Sequence, residues 1–410
     1  MLFPAILRSI IRDGSLCLIE GDGRQTLIGN GTGVPVTVRL ARKSLNWTLA
    51  FDPALSLGEA FMNGDLVVEQ GTVYDLLALL ARNIDDTGGG NRWLHALEML
   101  RHLVRRSNSA VRARANVSHH YDLSSQLYDL FLDTDRQYSC AYFAKPTDTL
   151  EQAQAQKTRH IAAKLLLDRP DLKVLDIGSG WGGLGLYLAE EAAAEVTGVT
   201  LSTEQHAMSN ARAEKRGLAN RARFHLRDYR HETGVYDRIV SVGMFEHVGK
   251  RNWQEFFNKL GTLLHRDGVA LVHTIGYWDT PGPINPFIKK YIFPGADLPA
   301  LSEMTAAAAR AGLIVTDVEV LRLHYAETLR LWRERFMARR DEAAALYDER
   351  FCRMWEFYLA LCEVGFRYRT TVIYQVQLTK HLDALPITRD YMVDWEREHA
   401  SEDAHKSCAA

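Results

Sequence analysis

The spacing of apolar positions changes character near residue 115. Before that point, residues 34–40 (V-P-V-T-V-R-L) alternate with period two and predict a strand, and residues 45–51 (L-N-W-T-L-A-F) alternate too and predict another. Residues 55–63 and 73–81 carry apolar side chains at helical spacing. Leu2, Phe3, Ile6, Leu7, Ile10 and Ile11 form one helical face, which core packing explains as well as membrane contact does. Beyond residue 115, strand-like runs recur at 173–177, 195–199, 222–226, 238–242, 269–274 and 314–321, with helical segments between the first several. This alternation predicts an α/β fold built on a parallel sheet. Residues 372–378 (V-I-Y-Q-V-Q-L) read as a late antiparallel strand at a sheet edge. An irregular, proline- and aromatic-rich insert at 277–304 and a long helical stretch at 325–367 are placed to roof a site at the carboxyl ends of the strands. The tail after Arg389 is polar and expected to fray.

Residues 174–183 read V-L-D-I-G-S-G-W-G-G. Gly178, Gly180 and Gly183 have the G-x-G-x-x-G spacing of a strand-to-helix nucleotide loop, which alone is weak evidence. Asp176 sharpens it. It stands two residues before the first glycine, close to where a dinucleotide would place its pyrophosphate, and a carboxylate there repels a dianion. It suits a ligand carrying an ammonium and a sulfonium, S-adenosylmethionine. The competing reading is a purely structural turn in an ordinary α/β domain. The next strand ends in Thr200 and runs into Leu201, with no acid at the strand end where an NAD-type unit places one; Gln205 can bond a ribose instead. Asp228 and Tyr229 follow the third strand, where a carboxylate can accept from an adenine amino group and a ring can flank the base. Their order at successive strand ends favours S-adenosylmethionine.

Composition sets the frame. A chain of 410 residues exceeds one typical domain. We divide it into an N-terminal domain (1–100), a basic linker (101–115), a catalytic domain (116–388) and a polar tail (389–410). The net charge of -2 gives no support for nucleic-acid binding. Five cysteines without a C-x-x-C pair argue for a reducing cytosol and against a zinc site or a disulfide framework, so no metal is expected. No apolar run approaches the ~20 residues that span a bilayer, and the N-terminus lacks a cleavage-site pattern. Residues 101–114 hold five arginines and no acid. They read either as a solvated linker or as a patch for anionic headgroups, where each basic residue contributes about 1 kcal/mol.

Five further runs carry a resemblance: Asn116-Val117-Ser118-His119-His120-Tyr121-Asp122-Leu123-Ser124, Tyr138-Ser139-Cys140-Ala141-Tyr142-Phe143, Val242-Gly243-Met244-Phe245-Glu246-His247-Val248-Gly249, His273-Thr274-Ile275-Gly276 and Lys290-Tyr291-Ile292-Phe293-Pro294-Gly295. In this order they resemble the cyclopropane-fatty-acyl-phospholipid synthases, relatives of the mycolic-acid cyclopropane synthases, over roughly residues 116–380. The resemblance implies a Rossmann-like class I methyltransferase fold with a small N-terminal α+β lipid-binding domain. It implies that a cis alkene in a phospholipid acyl chain takes the methyl of S-adenosylmethionine, and that the resulting cation loses a proton and closes a ring. It also implies a bound bicarbonate as the base, held by Cys140, Glu246, His273, Ile275 (through backbone N–H groups at Cys140 and Ile275) and Tyr325.

Cofactor residues carry over likewise. Tyr138 and Ser139 would meet the methionine portion with Asp176, Gly178 and Gly180; Thr200, Leu201 and Gln205 the ribose; Asp228 and Tyr229 the adenine. Taken singly, Cys140 also reads as a small buried hydrophobe, Glu246 as a helix N-terminal acid, and His273 and Tyr325 as satisfied interior groups. Tyr138, Phe143, Tyr277, Phe287, Tyr291 and Tyr325 are the aromatics available to face a cation, most of them equally explained as core or pocket wall. Ser179 stands where phospholipid-acting members often have cysteine, and Cys362 matches a family cysteine. The expected partners are unsaturated phospholipids at the inner face of the cell membrane, met by peripheral attachment from the cytoplasm, and a second copy in a homodimer. Two alternatives stay open: methylation giving branched or methylene products without ring closure, and a lipid-binding scaffold without catalysis.

Overall fold

A computed structural model of the chain describes residues 2–84 and 124–400. The arginine tract 101–114, the expected boundary near 115 and the motif residues 116–123 lie outside the described residues. The described residues fall into two compact units: 2–84 with 283–294 and 329–370, and 124–282 with 295–328 and 371–400.

The first unit begins α1 (Leu2–Ile10), β1 (Ser15–Ile19), β2 (Gln25–Ile28), β3 (Pro35–Leu40), α2 (Leu45–Phe51), α3 (Pro53–Met62), β4 (Leu66–Gln70) and α4 (Val73–Asn83). Its sheet has the order β2-β1-β3-β4, with β1 and β3 parallel and the outer pairs antiparallel. Leu16, Leu18, Val36, Val38 and Leu40 alternate inward and are buried, as a one-sided sheet requires. A reciprocal Thr72–Asp75 capping box starts α4. Residues 45–51 form a helix where the alternation predicted a strand. Leu45, Asn46 and Leu49 face inward while Trp47 and Phe51 stack outside with centroids 6.1 Å apart. Seven residues of period two also place apolar groups four apart, so the pattern satisfied both periods. Within the insert, Phe287 lies against Gly58, whose missing Cβ makes the room, and 4.8 Å from the Phe357 ring. Tyr291 donates to Glu59 at 2.7 Å.

The second unit holds α5 (Ser125–Tyr128), α6 (Leu150–Lys164), β5 (Lys173–Ile177), α7 (Gly183–Glu191), β6 (Glu195–Thr200), α8 (Thr203–Lys215), β7 (Ala222–Leu226), β8 (Tyr236–Val242), α9 (Trp253–Leu263), β9 (Leu264–Tyr277), α10 (Leu301–Arg310) and β10 (Ile314–Val320). The chain continues through α11 (His324–Ala338), α12 (Arg340–Leu346) and α13 (Glu349–Tyr368) to β11 (Thr371–Thr379) and α14 (Asp390–Glu398). The sheet order is β10-β11-β9-β8-β5-β6-β7, parallel from β9 to β7. This is the Rossmann-like arrangement expected of a class I methyltransferase. Successive residues of the central strands enter opposite cores: Leu175, Ile239 and Ala270 pack with Phe256 and Phe257 of α9, and Val174, Val240 and Leu271 pack with Ile161 of α6 and Leu188 of α7.

Two expectations are corrected. β11 is antiparallel, but it lies one strand inside the edge, paired with both β9 and β10. Its glutamines give it the polarity of an edge strand, yet Gln375 and Gln377 are buried and bonded internally. The tail after Arg389 does not fray at once, because α14 is anchored. Arg389 pairs with Asp317 at 2.8 Å, Gln377 donates to the Tyr391 hydroxyl at 2.7 Å, and Glu396 bonds His160. No helix among the described residues is long and apolar enough to cross a membrane.

Candidate active site

The cleft forms where β5 ends. Gly178 and Ser179 both donate to the Val199 carbonyl, tying the glycine loop to β6. Gly178, Gly180 and Gly182 all have positive φ, and a Cβ on Gly178 would strike Met244. Gly183 opens α7 directly beneath Asp135 and Gln137, which leave no space for a Cβ there. All ten residues assigned to the cofactor line this one cleft: Tyr138, Ser139, Asp176, Gly178, Gly180, Thr200, Leu201, Gln205, Asp228 and Tyr229. Thr200 donates to Gln205 Oε1 at 3.0 Å, which leaves the Gln205 amide hydrogens as the donors on that wall. Asp228 is gripped by the Arg230 guanidinium at 2.9 and 2.7 Å. Burial works to raise its pKa, but the Arg230 bonds outweigh it and hold the carboxyl below its ordinary range.

Asp176 Oδ2 is buried without a hydrogen-bond partner. Burial pushes this carboxyl up to about 7, against the pull of nearby Lys157. A buried carboxylate oxygen with no donor is complementary to a cationic ligand, so the residues present fit the ammonium and sulfonium of S-adenosylmethionine.

Sequence reasoning missed the support beneath that cleft. Asp133 accepts from the backbone N–H groups of Asp135 and Gln137 at 3.0 and 2.8 Å, folding the loop that carries Tyr138 and Ser139. Lys157, on α6 and only 2 % exposed, donates to Gln137 Oε1 at 2.6 Å and to Ser139 Oγ at 2.9 Å. Burial lowers its pKa to about 8, while Asp133 and Asp135 oppose the shift. The signal was present: Leu150, Ala153, Lys157, Ile161 and Lys164 share the inward stripe of α6, where a lysine needs partners.

Beside this lies a second polar cluster. β8 ends at Val242, opposite His273, but β9 runs on to Tyr277. Donors on that overhang need other acceptors. Tyr277 N–H finds the Pro299 carbonyl at 2.9 Å, and Ile275 N–H donates to Glu246 Oε1 at 2.7 Å. The Ile275 N–H, read from the sequence as an anion donor, is thus directed to Glu246. Glu246 Oε2 and His273 Nε2 are buried and unpartnered. Burial raises Glu246 to about 7 against the Ile275 bond, and drives His273 well below its ordinary value, helped by the charges of Lys157 and Lys164. Cys140 is buried, its thiol pushed far up by burial and donating to the Ala141 carbonyl at 3.2 Å. Tyr325, at the start of α11, is buried in the same unit. The Ala141 N–H donates to Thr328 Oγ1 at 3.1 Å and the Phe143 N–H to His324 Nδ1 at 3.0 Å, which binds the 138–143 segment to that helix. Of the candidate cation-facing aromatics, Tyr138 lines the cofactor cleft, Tyr277 is buried on β9, and Phe287 and Tyr291 belong to the first unit.

Fold and cleft together define an S-adenosylmethionine-dependent methyltransferase. The profile of the family described as mycolic acid cyclopropane synthetase matches residues 108–376. A probable fatty acid methyltransferase of Pseudomonas putida is 37% identical over 383 residues, covering 90% of this chain and 94% of its own. The cyclopropane-fatty-acyl-phospholipid synthase of Escherichia coli K12 is 36% identical, covering 86% of this chain and 90% of its own. The crystal structure of mycolic acid cyclopropane synthase CmaA1 complexed with SAH and CTAB aligns with a TM-score of 0.62 and 34% identity, over 65% of this chain and 97% of that one. The chain belongs to the mycolic acid cyclopropane synthetase family.

Proposed function

We propose that the protein uses S-adenosylmethionine to cyclopropanate cis double bonds in phospholipid acyl chains, with bicarbonate as the base. The observation that carries this reading is the buried pair of unpartnered atoms, Glu246 Oε2 and His273 Nε2, in the unit that holds the cofactor cleft. One carboxyl oxygen and one imidazole nitrogen, both shielded from water, suit a small ion that both donates and accepts. Bicarbonate has that character and bears only a single charge, beside a histidine and a carboxyl, both of which burial biases toward their neutral forms. When bound, S-adenosylmethionine supplies the electrophilic methyl and bicarbonate the means of removing a proton.

The chain's own residues do the rest. Asp176 offers its carboxylate to the cationic cofactor, and Lys157 holds Ser139 and Gln137 in the wall beside it. Ile275 fixes Glu246 by its N–H to Oε1, which leaves Oε2 as the oxygen without a partner. Glu246 and His273 hold the anion, with Cys140 and Tyr325 as further ligands. Burial of Asp176, Lys157, Glu246, His273, Cys140 and Tyr325 keeps out water, which would capture a cation as an alcohol. The acyl chains belong to a bilayer, so attachment is peripheral and reversible, made from the cytoplasmic side, and the working form is a homodimer.

A second reading is methylation without ring closure, favoured by the likeness to the Pseudomonas putida probable fatty acid methyltransferase and to the tuberculostearic acid methyltransferase UfaA1 of Mycobacterium tuberculosis, 38% identical over 343 residues. Purified enzyme, labelled methyl donor and unsaturated phospholipid vesicles test both. Ring closure adds CH2 and leaves a product that mild hydrogenation does not change, whereas a methylene product takes up hydrogen. Absence of S-adenosylhomocysteine formation would sink both.

A further inference from the structure

His273 and Gln375 are direct cross-strand partners on β9 and β11, and their side chains meet inside the sheet, with Gln375 Nε2 3.1 Å from His273 Nδ1. Gln375 is fully buried and its other end is equally occupied: Lys164 Nζ donates to Gln375 Oε1 at 2.6 Å. This settles which way the amide points. An ammonium has hydrogens and no lone pair, so it can only face the amide oxygen. The amide nitrogen, also a donor without a lone pair, must then face His273. Nδ1 therefore has to present a lone pair, and a neutral imidazole with a bare Nδ1 carries its proton on Nε2. That Nε2 is the buried atom with no partner in the protein.

We infer that Gln375, braced by Lys164, is a positioning residue that locks His273 in the Nε2–H form, so that the ring presents a donor and not a lone pair to the anion. The part concerning the anion rests on the bicarbonate reading above; the tautomer does not. The brace extends outward. Lys164 also bonds Glu319, Glu319 bonds His160 at 2.6 Å, and His160 bonds Glu396 on α14, so the lysine's charge is answered without help from Gln375. Gln375 is thereby left to its orienting role. The opposite tautomer would set a nitrogen lone pair against a negative ion.

Nitrogen-15 NMR of histidine-labelled protein, recorded without cofactor or bicarbonate, reads the His273 tautomer directly. The expected result is a neutral Nε2–H ring at pH 7.5. Gln375→Glu keeps the bond from Lys164 but turns the other end into an acceptor, so the proton should move to Nδ1. With it the KM for bicarbonate should rise about tenfold or more while S-adenosylhomocysteine binding stays unchanged. If that variant misfolds, Lys164→Gln, which lets the 375 amide turn over, should give a mixture of tautomers. A wild-type ring protonated on Nδ1, or one unchanged in both variants, would overturn the proposal. A ring whose proton has moved to Nδ1 with the wild-type KM for bicarbonate would overturn the positioning role. A wild-type enzyme indifferent to bicarbonate would count against the bicarbonate reading and leave the tautomer result standing.

Discussion

Lys157 Nζ lies 2.9 Å from Ser139 Oγ and is the charge that opposes the raised pKa of Asp176, so one buried ammonium supports two walls of the cofactor cleft. Replacing it with methionine keeps the volume and removes both functions. Leaving Gln137 and Ser139 without their buried donor costs about 1–3 kcal/mol. Lys157→Met should therefore melt earlier and bind S-adenosylhomocysteine at least ~10-fold more weakly, read by thermal unfolding and calorimetry. Unchanged affinity would reduce Lys157 to a filler of α6.

Cofactor binding should depend on pH through Asp176. Its pKa is raised in the free protein to about 7, and a cationic ligand favours the ionised form. Below about pH 7 the carboxyl must lose a proton as the ligand enters, so affinity falls as pH falls and levels off above. Calorimetry at pH 6.5 in buffers of different ionisation enthalpy should register proton release on binding S-adenosylmethionine. Asp176→Asn should remove the release and weaken binding ~10–100-fold. The same shift has a consequence for stability. A carboxyl whose folded pKa exceeds its ordinary 3.8 favours the free fold at low pH and disfavours it as pH rises toward 7, a loss that the cofactor should restore.

Glu246→Gln retains an oxygen able to accept from Ile275, so the local fold should persist. The amide cannot ionise, and turnover should drop by at least ~100-fold with S-adenosylhomocysteine affinity nearly intact. Parallel collapse of both would make Glu246 a folding residue.

Helix α14 should loosen as pH rises. Burial lowers the pKa of His160, but its bonds to Glu319 and Glu396 outweigh this and raise it above the ordinary 6.5. The stabilisation is complete below about 6.5 and is lost as pH climbs through the raised value. Amide exchange in 390–398, corrected for its intrinsic pH dependence, should quicken over that interval, and Glu396→Gln should flatten the effect. An interval-independent rate would show that Arg389 and Tyr391 hold the helix alone.

Much of the second unit was legible because its strands are buried runs, and because Asp176, Thr200 and Asp228 stand at or just past the carboxyl ends of consecutive parallel strands. Residues 45–51 misled because Leu45 and Leu49 share one face of a strand and of a helix alike over so short a span. The position of β11 was hidden by Gln375 and Gln377, whose polarity suggests solvent until their partners His273, Lys164 and Tyr391 are known. Lys157 was visible as a lysine on an apolar stripe, but its partners stand about twenty residues upstream on a loop whose path no local pattern records. The engagement of Ile275 by Glu246 was equally out of reach, since it depends on one strand outlasting its neighbour.

That unequal length of β8 and β9 makes position 275 a main-chain contributor. What the neighbouring carboxyl needs from it is an amide hydrogen, which nineteen of the twenty amino acids supply. Evolution is free to vary the side chain there for shape, and only proline would silence the contact.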